Sequence, residues 1–139
     1  MAEIDVTRTL DVPPDALWRC VRAFDDVPWI PGGENVEIRG TGVGQVRIFD
    51  FPNRRICERL TSLDDATRTL SYTIPEGMPF PVAAYEATMA VTDDGGRGRL
   101  SWSCRFEPDE GASEEQIDRG IRRRFNAMID RIEEYLKCG

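Results

Sequence analysis

Four side chains have the chemistry to orient an organic molecule or move a proton on it: Arg47, Glu58, Tyr72 and Tyr85. Their spacing brings them together. Pro52-Asn53, between two alternating segments, reads as a two-residue hairpin turn, which sets Phe51 opposite Arg54, Phe49 opposite Ile56 and Arg47 opposite Glu58. Period-two alternation then gives one face Arg47, Phe49, Phe51, Ile56, Glu58 and Leu60, and the other Ile48, Asp50, Arg55, Cys57, Arg59 and Thr61. The first face is the apolar one and is expected to turn inward, beside Leu70, Tyr72 and Ile74. Tyr85, Ala87, Met89 and Val91, then Leu100, Trp102, Cys104 and Phe106, continue it. A charged pair among aromatics seldom outperforms apolar packing in stability, so it invites two readings. In one, Arg47 and Glu58 satisfy each other as a cross-strand pair near a sheet edge, contributing a fraction of a kcal/mol. In the other they are polar groups of a cavity that orient an otherwise apolar ligand, with Ala83, Ala87 and Gly120 leaving it room. Within such a cavity Glu58, Tyr72 and Tyr85 are candidate proton carriers, and Arg47 is a candidate to steady an enolate.

Other chemistry is narrowed by what the chain lacks. It contains no histidine, the commonest general base and metal ligand, so metal and Ser-His or Cys-His chemistry are not expected and no cofactor is called for. Cys20, Cys57, Cys104 and Cys138 are widely spaced and read as core or surface residues. Without a C-x-x-C or a signal peptide, they suggest reduced thiols and a cytoplasmic setting. Gly40-Thr41-Gly42-Val43-Gly44 precedes a strand pattern, whereas a phosphate loop leads into a helix. It is read as a hairpin turn. The net charge of −7 argues against nucleic acid as a partner, and no apolar run reaches membrane-spanning length.

These residues need a scaffold, and 139 residues are enough for one domain, 1–139, that buries about two-thirds of its unfolded surface. From Ser113 to Leu136, Ile117, Ile121, Phe125, Met128, Ile129, Ile132 and Leu136 recur at three- and four-residue steps, the mark of a long one-sided helix. Ser113 and Gln116 form a capping box. Glu115/Arg119, Asp118/Arg122 and Glu133/Lys137 pair along the wet side. In Arg122-Arg123-Arg124, Arg124 lies nearest the apolar stripe and is expected at the cavity rim. Upstream, residues 3–11 alternate as a strand in which Arg8 alone breaks the apolar side, and Pro13-Pro14-Asp15 opens a short helix burying Leu17, Trp18, Val21 and Phe24. Residues 25–33 are broken by proline and glycine into a helical turn and loop. Between 36 and 106 the pattern is a run of antiparallel hairpins.

This order, with Val12 to Trp18, the Gly40 to Arg47 turn and strand, Cys57-Glu58-Arg59-Leu60, Leu70-Ser71-Tyr72, Ala84-Tyr85-Glu86, Ser101-Trp102 and the final helix, resembles the START-like superfamily, also called SRPBCC or Bet v 1-like. Within it, the chain is similar to the polyketide cyclase/dehydrase and lipid-transport group. The resemblance implies an α+β helix-grip fold: a seven-stranded curved antiparallel sheet wrapped around the long helix, two short helices after the first strand, and a cavity between sheet and helix. In related plant hormone receptors the residues matching Glu58 and Tyr85 lie in that cavity, and the loops matching 51–54 and 75–81 gate it. Trp102 and Met128 stand where those receptors have polar pocket residues, so their ligand is not carried over.

The expectation is therefore a monomer or homodimer that binds a small hydrophobic or aromatic molecule, such as a polyketide or lipid. The expected contacts are Arg47, Phe49, Phe51, Ile56, Glu58, Tyr72 and Tyr85, then Ala87, Met89 and Trp102, with Ile117, Ile121, Arg124 and Met128 from the helix. Two rivals stand beside it: a cyclase or dehydrase using the same cavity, and a protein-interaction module whose cavity is filled by side chains.

Overall fold

The computed structural model describes residues 1–138. Among them the chain forms strands β1 (Ala2–Leu10), β2 (Glu37–Arg39), β3 (Val46–Phe51), β4 (Arg54–Asp64), β5 (Thr69–Glu76), β6 (Val82–Asp94) and β7 (Arg97–Pro108), with helices α1 (Pro14–Arg22) and α2 (Glu114–Cys138). The strands make one antiparallel sheet in the order β1-β7-β6-β5-β4-β3-β2. Only the β1–β7 contact joins strands distant in sequence. From β2 to β7 each strand pairs with its chain neighbour because short turns favour hairpins, and β1 completes the sheet beside β7.

Helix α2 lies on the apolar face of this sheet. Its buried residues are Ile117, Ile121, Phe125, Met128, Ile129 and Ile132, the stripe read from the sequence, and Leu136 is partly buried against the core. The Gln116 amide donates to Ser113 Oγ at 3.2 Å, fixing the first turn. Glu115–Arg119, Asp118–Arg122 and Glu133–Lys137 pair at 3.5, 2.7 and 3.7 Å, each contributing about 0.3–0.5 kcal/mol on an exposed helix face. Arg8 takes no part in a cavity. It donates to the Asn126 carbonyl at 3.1 Å and pairs with Asp130 at 2.7 Å, pinning β1 to α2.

Helix α1 is anchored by one carboxylate. Asp65, in the β4–β5 turn, accepts from Trp18 Nε1 at 2.9 Å and from Arg22 Nε and Nη2 at 2.7 and 3.1 Å. The second short helix expected after β1 is only a three-residue 3-10 turn, Gly33–Asn35. Pro28 and Pro31 deny the preceding segment two backbone donors, and a Cβ on Gly33 would lie 1.8 Å from the Val27 carbonyl oxygen, so this turn accepts only glycine there.

The sheet curves through irregular pairing. Between the pairs Arg59–Thr73 and Cys57–Glu76, β5 carries one extra residue, in the stretch where Pro75 has no N–H for the ladder. A further break lies between Ala83 and Glu86 on β6, where Ala84 adopts φ 54°. That bulge turns Ala83 out to solvent, so it leaves no room inside, contrary to expectation. Gly120 does not open the cavity either, because Phe80 sits on it: a Cβ there would come 2.8 Å from Phe80 Cε1.

Candidate functional site

The site begins with the β3–β4 hairpin. Its two-residue turn holds the expected register, with Phe51 on Arg54, Phe49 on Ile56 and Arg47 on Glu58. Arg47 and Glu58 are 4% and 7% exposed, deep enough that the pair is no edge ornament. Arg47 Nε donates to Glu58 Oε1 at 2.7 Å and Nη1 donates to the Phe24 carbonyl at 3.2 Å. The guanidinium carbon lies 3.9 Å from the Phe24 ring centroid, 5.5 Å from Tyr72 and 5.7 Å from Phe49. Aromatic faces and a carboxylate together compensate a charge that burial alone would expel.

Next to this pair is a second polar contact. Trp102 Nε1 donates to the Tyr72 hydroxyl at 3.2 Å, while the Trp102 rings stack on Phe125 at 4.8 Å and meet Trp29 edge-on at 6.4 Å. Burial pushes the Tyr72 phenol well up, and the Glu58 charge pushes the same way; Arg47, the Trp102 hydrogen bond and Arg124 pull against them. Burial likewise raises Tyr85 well above the ordinary phenol value, with Tyr72 and Cys104 as lesser contributors. Both therefore remain hydrogen-bond donors at neutral pH. Burial also pushes the Cys104 thiol up to about 12 and Cys20 up to about 11, which suits core residues and not nucleophiles.

These groups border a cavity of about 430 Å³ between the sheet and α2. Of the fourteen contacts expected from the sequence, Arg47, Phe49, Phe51, Ile56, Glu58, Tyr72, Tyr85, Trp102, Arg124 and Met128 line it. Ala87, Met89, Ile117 and Ile121 do not. They occupy the expected inward face but are sealed in the core, at 0–3% exposure, where both helices pack on the sheet. Alternation reports the face, not the position along it. Met78, Pro79 and Phe80, from the β5–β6 loop that the family resemblance set at the cavity mouth, line it too, whereas Ile30 and Pro31 before β2 were missed. Irregular segments carry no period from which to read a direction. Phe125 was legible, since it lies in the stripe one turn before Met128. The lining residues that also meet solvent, Pro31 and 52–54, mark the open end. There Arg54 Nη1 donates to the Met78 carbonyl at 3.1 Å, joining the β3–β4 turn to the β5–β6 loop.

A curved antiparallel sheet gripping a long C-terminal helix, with a cavity between them, is the Bet v 1-like or START-like arrangement. The chain belongs to the polyketide cyclase/dehydrase and lipid transport family, whose model matches residues 1–137. Solved structures share the fold across nearly the whole chain. The protein XoxI from Bacillus cereus is 24% identical with a TM-score of 0.84, over 98% of this chain and 96% of that one. An uncharacterised protein from Bacillus thuringiensis is 23% identical with a TM-score of 0.81, over 97% and 98%. Ara h 8.0201 is 20% identical with a TM-score of 0.78, over 99% of each chain. No curated protein matches the chain in sequence. Among the described residues no helix is long and apolar enough to cross a membrane.

Proposed function

We propose that this protein binds a small hydrophobic or aromatic molecule, of polyketide or lipid character, in the cavity between sheet and α2. One observation carries the reading: about 430 Å³ of space walled by aromatic and aliphatic side chains, with a few fixed polar groups. That volume and composition suit a metabolite-sized ligand, with apolar contact supplying affinity and Arg47, Glu58, Tyr72 and Tyr85 setting its orientation. The space also weighs against a cavity filled by side chains, the form expected of an interaction module. Native mass spectrometry of freshly purified protein, followed by denaturation and analysis of released molecules, tests the reading. A discrete bound mass is expected. A clean unliganded mass, with no thermal shift across a panel of lipids and aromatic polyketides, would overturn it.

A second reading, a cyclase or dehydrase acting on a poly-β-keto chain, draws on the half-used carboxylate. Only Glu58 Oε1 is engaged by Arg47, and Oε2 makes no hydrogen bond with any described residue. In this reading the cavity folds the chain into a reactive geometry, Glu58 or a tyrosine moves protons, and Arg47 steadies the enolate. Glu58→Gln should then abolish turnover while leaving binding largely intact. Equal loss of both counts against catalysis.

A further inference from the structure

Charge on the cavity wall does not balance. The charged residues lining it are Arg47, Arg54, Glu58 and Arg124, three cations against one carboxylate, and that carboxylate is taken by Arg47 at 2.7 Å. Arg54 is exposed at the open end, and its partners are the Gly77 and Met78 carbonyls at 3.5 and 3.1 Å, which are neutral. Arg124, partly sheltered on α2, makes no ion pair and no hydrogen bond with any described residue. Its helix neighbours Arg119 and Arg122 are both paired, with Glu115 and Asp118. This local surplus of positive charge stands in a chain whose net charge is −7.

The Arg124 charge also acts inside the cavity. It is among the groups that favour the ionised form of the buried Tyr72 phenol, against the opposing effects of burial and Glu58. A cation that sheds part of its water beside an apolar wall, without an acid to meet it, gains most from an anion brought by a ligand. In such a setting the attraction is screened less than at an open surface, and a guanidinium presents a fork of donors that fits a carboxylate, sulfonate or phosphate.

We infer that the ligand is an acidic amphiphile, its apolar body lying against Phe49, Ile56 and Trp102 and its anionic oxygens on the Arg124 guanidinium, with Arg54 adding to the field at the open end. This inference rests on the ligand-binding reading above and adds the ligand's charge to it. The positive mouth in an otherwise acidic surface would also draw such an anion inward at low salt.

Two fluorescent probes separate the two claims: anilinonaphthalenesulfonate and its uncharged parent, phenylnaphthylamine, which differ only by the sulfonate. The protein is expected to bind both, the sulfonate about tenfold more tightly, as a charge-assisted contact implies. Arg124→Gln should bring the ratio of affinities close to one while leaving the parent's affinity unchanged. Arg124→Lys should keep most of the preference, and Arg123→Gln, on the exposed neighbour, should change neither affinity. Binding of the parent reports that each variant keeps its fold and cavity; if Arg124→Gln loses both probes, Arg124→Met, which retains the apolar stem, decides in its place. Equal affinities in the parent protein, or a preference that survives removal of the Arg124 charge, would overturn the inference. Failure of both probes to bind the unmodified protein would instead remove the ligand-binding reading beneath it.

Discussion

Arg47 and Glu58 face each other across a hairpin, joined at 2.7 Å, with the guanidinium laid over the Phe24 ring at 3.9 Å. The cross-strand register puts them opposite, and the inward face puts them among aromatics. Neither residue could occupy this place alone.

Removing one partner strands the other. Glu58→Leu or Arg47→Met is expected to destabilise the protein by about 3–5 kcal/mol, since each leaves a buried charge without its counter-ion. The Arg47→Met, Glu58→Leu double variant should recover much of that loss. Urea midpoints over the four proteins give the coupling directly, and a double variant no better than the worse single would contradict the interdependence.

Alkaline pH should reveal the buried phenols. Tyr72 and Tyr85 are both raised by burial first. Above the ordinary phenol value of about 10 the unfolded chain has released these protons and the folded one has not. The unfolded state then binds fewer protons, and stability falls as pH rises, by up to about 1.4 kcal/mol per pH unit for each phenol. Below that range the two contribute no slope. Urea midpoints measured on both sides of pH 10 in the parent, Tyr72→Phe and Tyr85→Phe should show the decline reduced in each variant.

Acid should act on the α1 anchor with the opposite sign. The Asp65 carboxyl is held below its ordinary value, chiefly by hydrogen bonds from Arg22 and then Trp18. Its contribution is present above the usual carboxylate range and is lost as pH falls through the lowered folded value. Asp65→Asn should therefore lower the Tm at neutral pH, and the two proteins should converge on acidification. A gap that persists in acid would assign the effect to something other than the carboxylate.

Gly120 offers a test of the wall itself. A methyl group there meets Phe80 Cε1 at 2.8 Å, so the ring must move off the helix. Gly120→Ala gains about 1 kcal/mol in helix propensity and loses packing, leaving Tm little changed. Dissociation of phenylnaphthylamine, followed by stopped-flow fluorescence, should nevertheless accelerate several-fold. An unaltered rate would show that Phe80 does not hold the ligand.

The inward turn of Arg47 and Glu58 was legible because Pro52-Asn53 leaves one hairpin register, and that register settles every facing pair up both strands. The family resemblance supplied the topology. Depth was not legible: Ala87 and Met89 share a face with Tyr85 but lie beyond the cavity's end, a limit set by where the helices pack on the sheet. Nor was Ala83, which strict alternation from Tyr85 places inside and the bulge at Ala84 turns out. The loop wall at Ile30 and Pro31 is fixed by tertiary contacts that no local period records, and the 75–81 loop that carries Phe80 was reached only through the resemblance.

The side chains of α2 that reach β1 have a further effect. Arg122 Nη1 donates to the Asp5 carbonyl at 3.1 Å, Glu133 accepts from the Asp11 amide at 3.0 Å, and Arg8 is held by Asn126 and Asp130. The β1 margin of an open sheet is thereby occupied by charged groups of its own helix, and the opposite margin, β2, is only three residues long. Such margins give a second molecule little backbone to pair with. Loosening α2 is therefore expected to uncover the β1 margin along with the binding space.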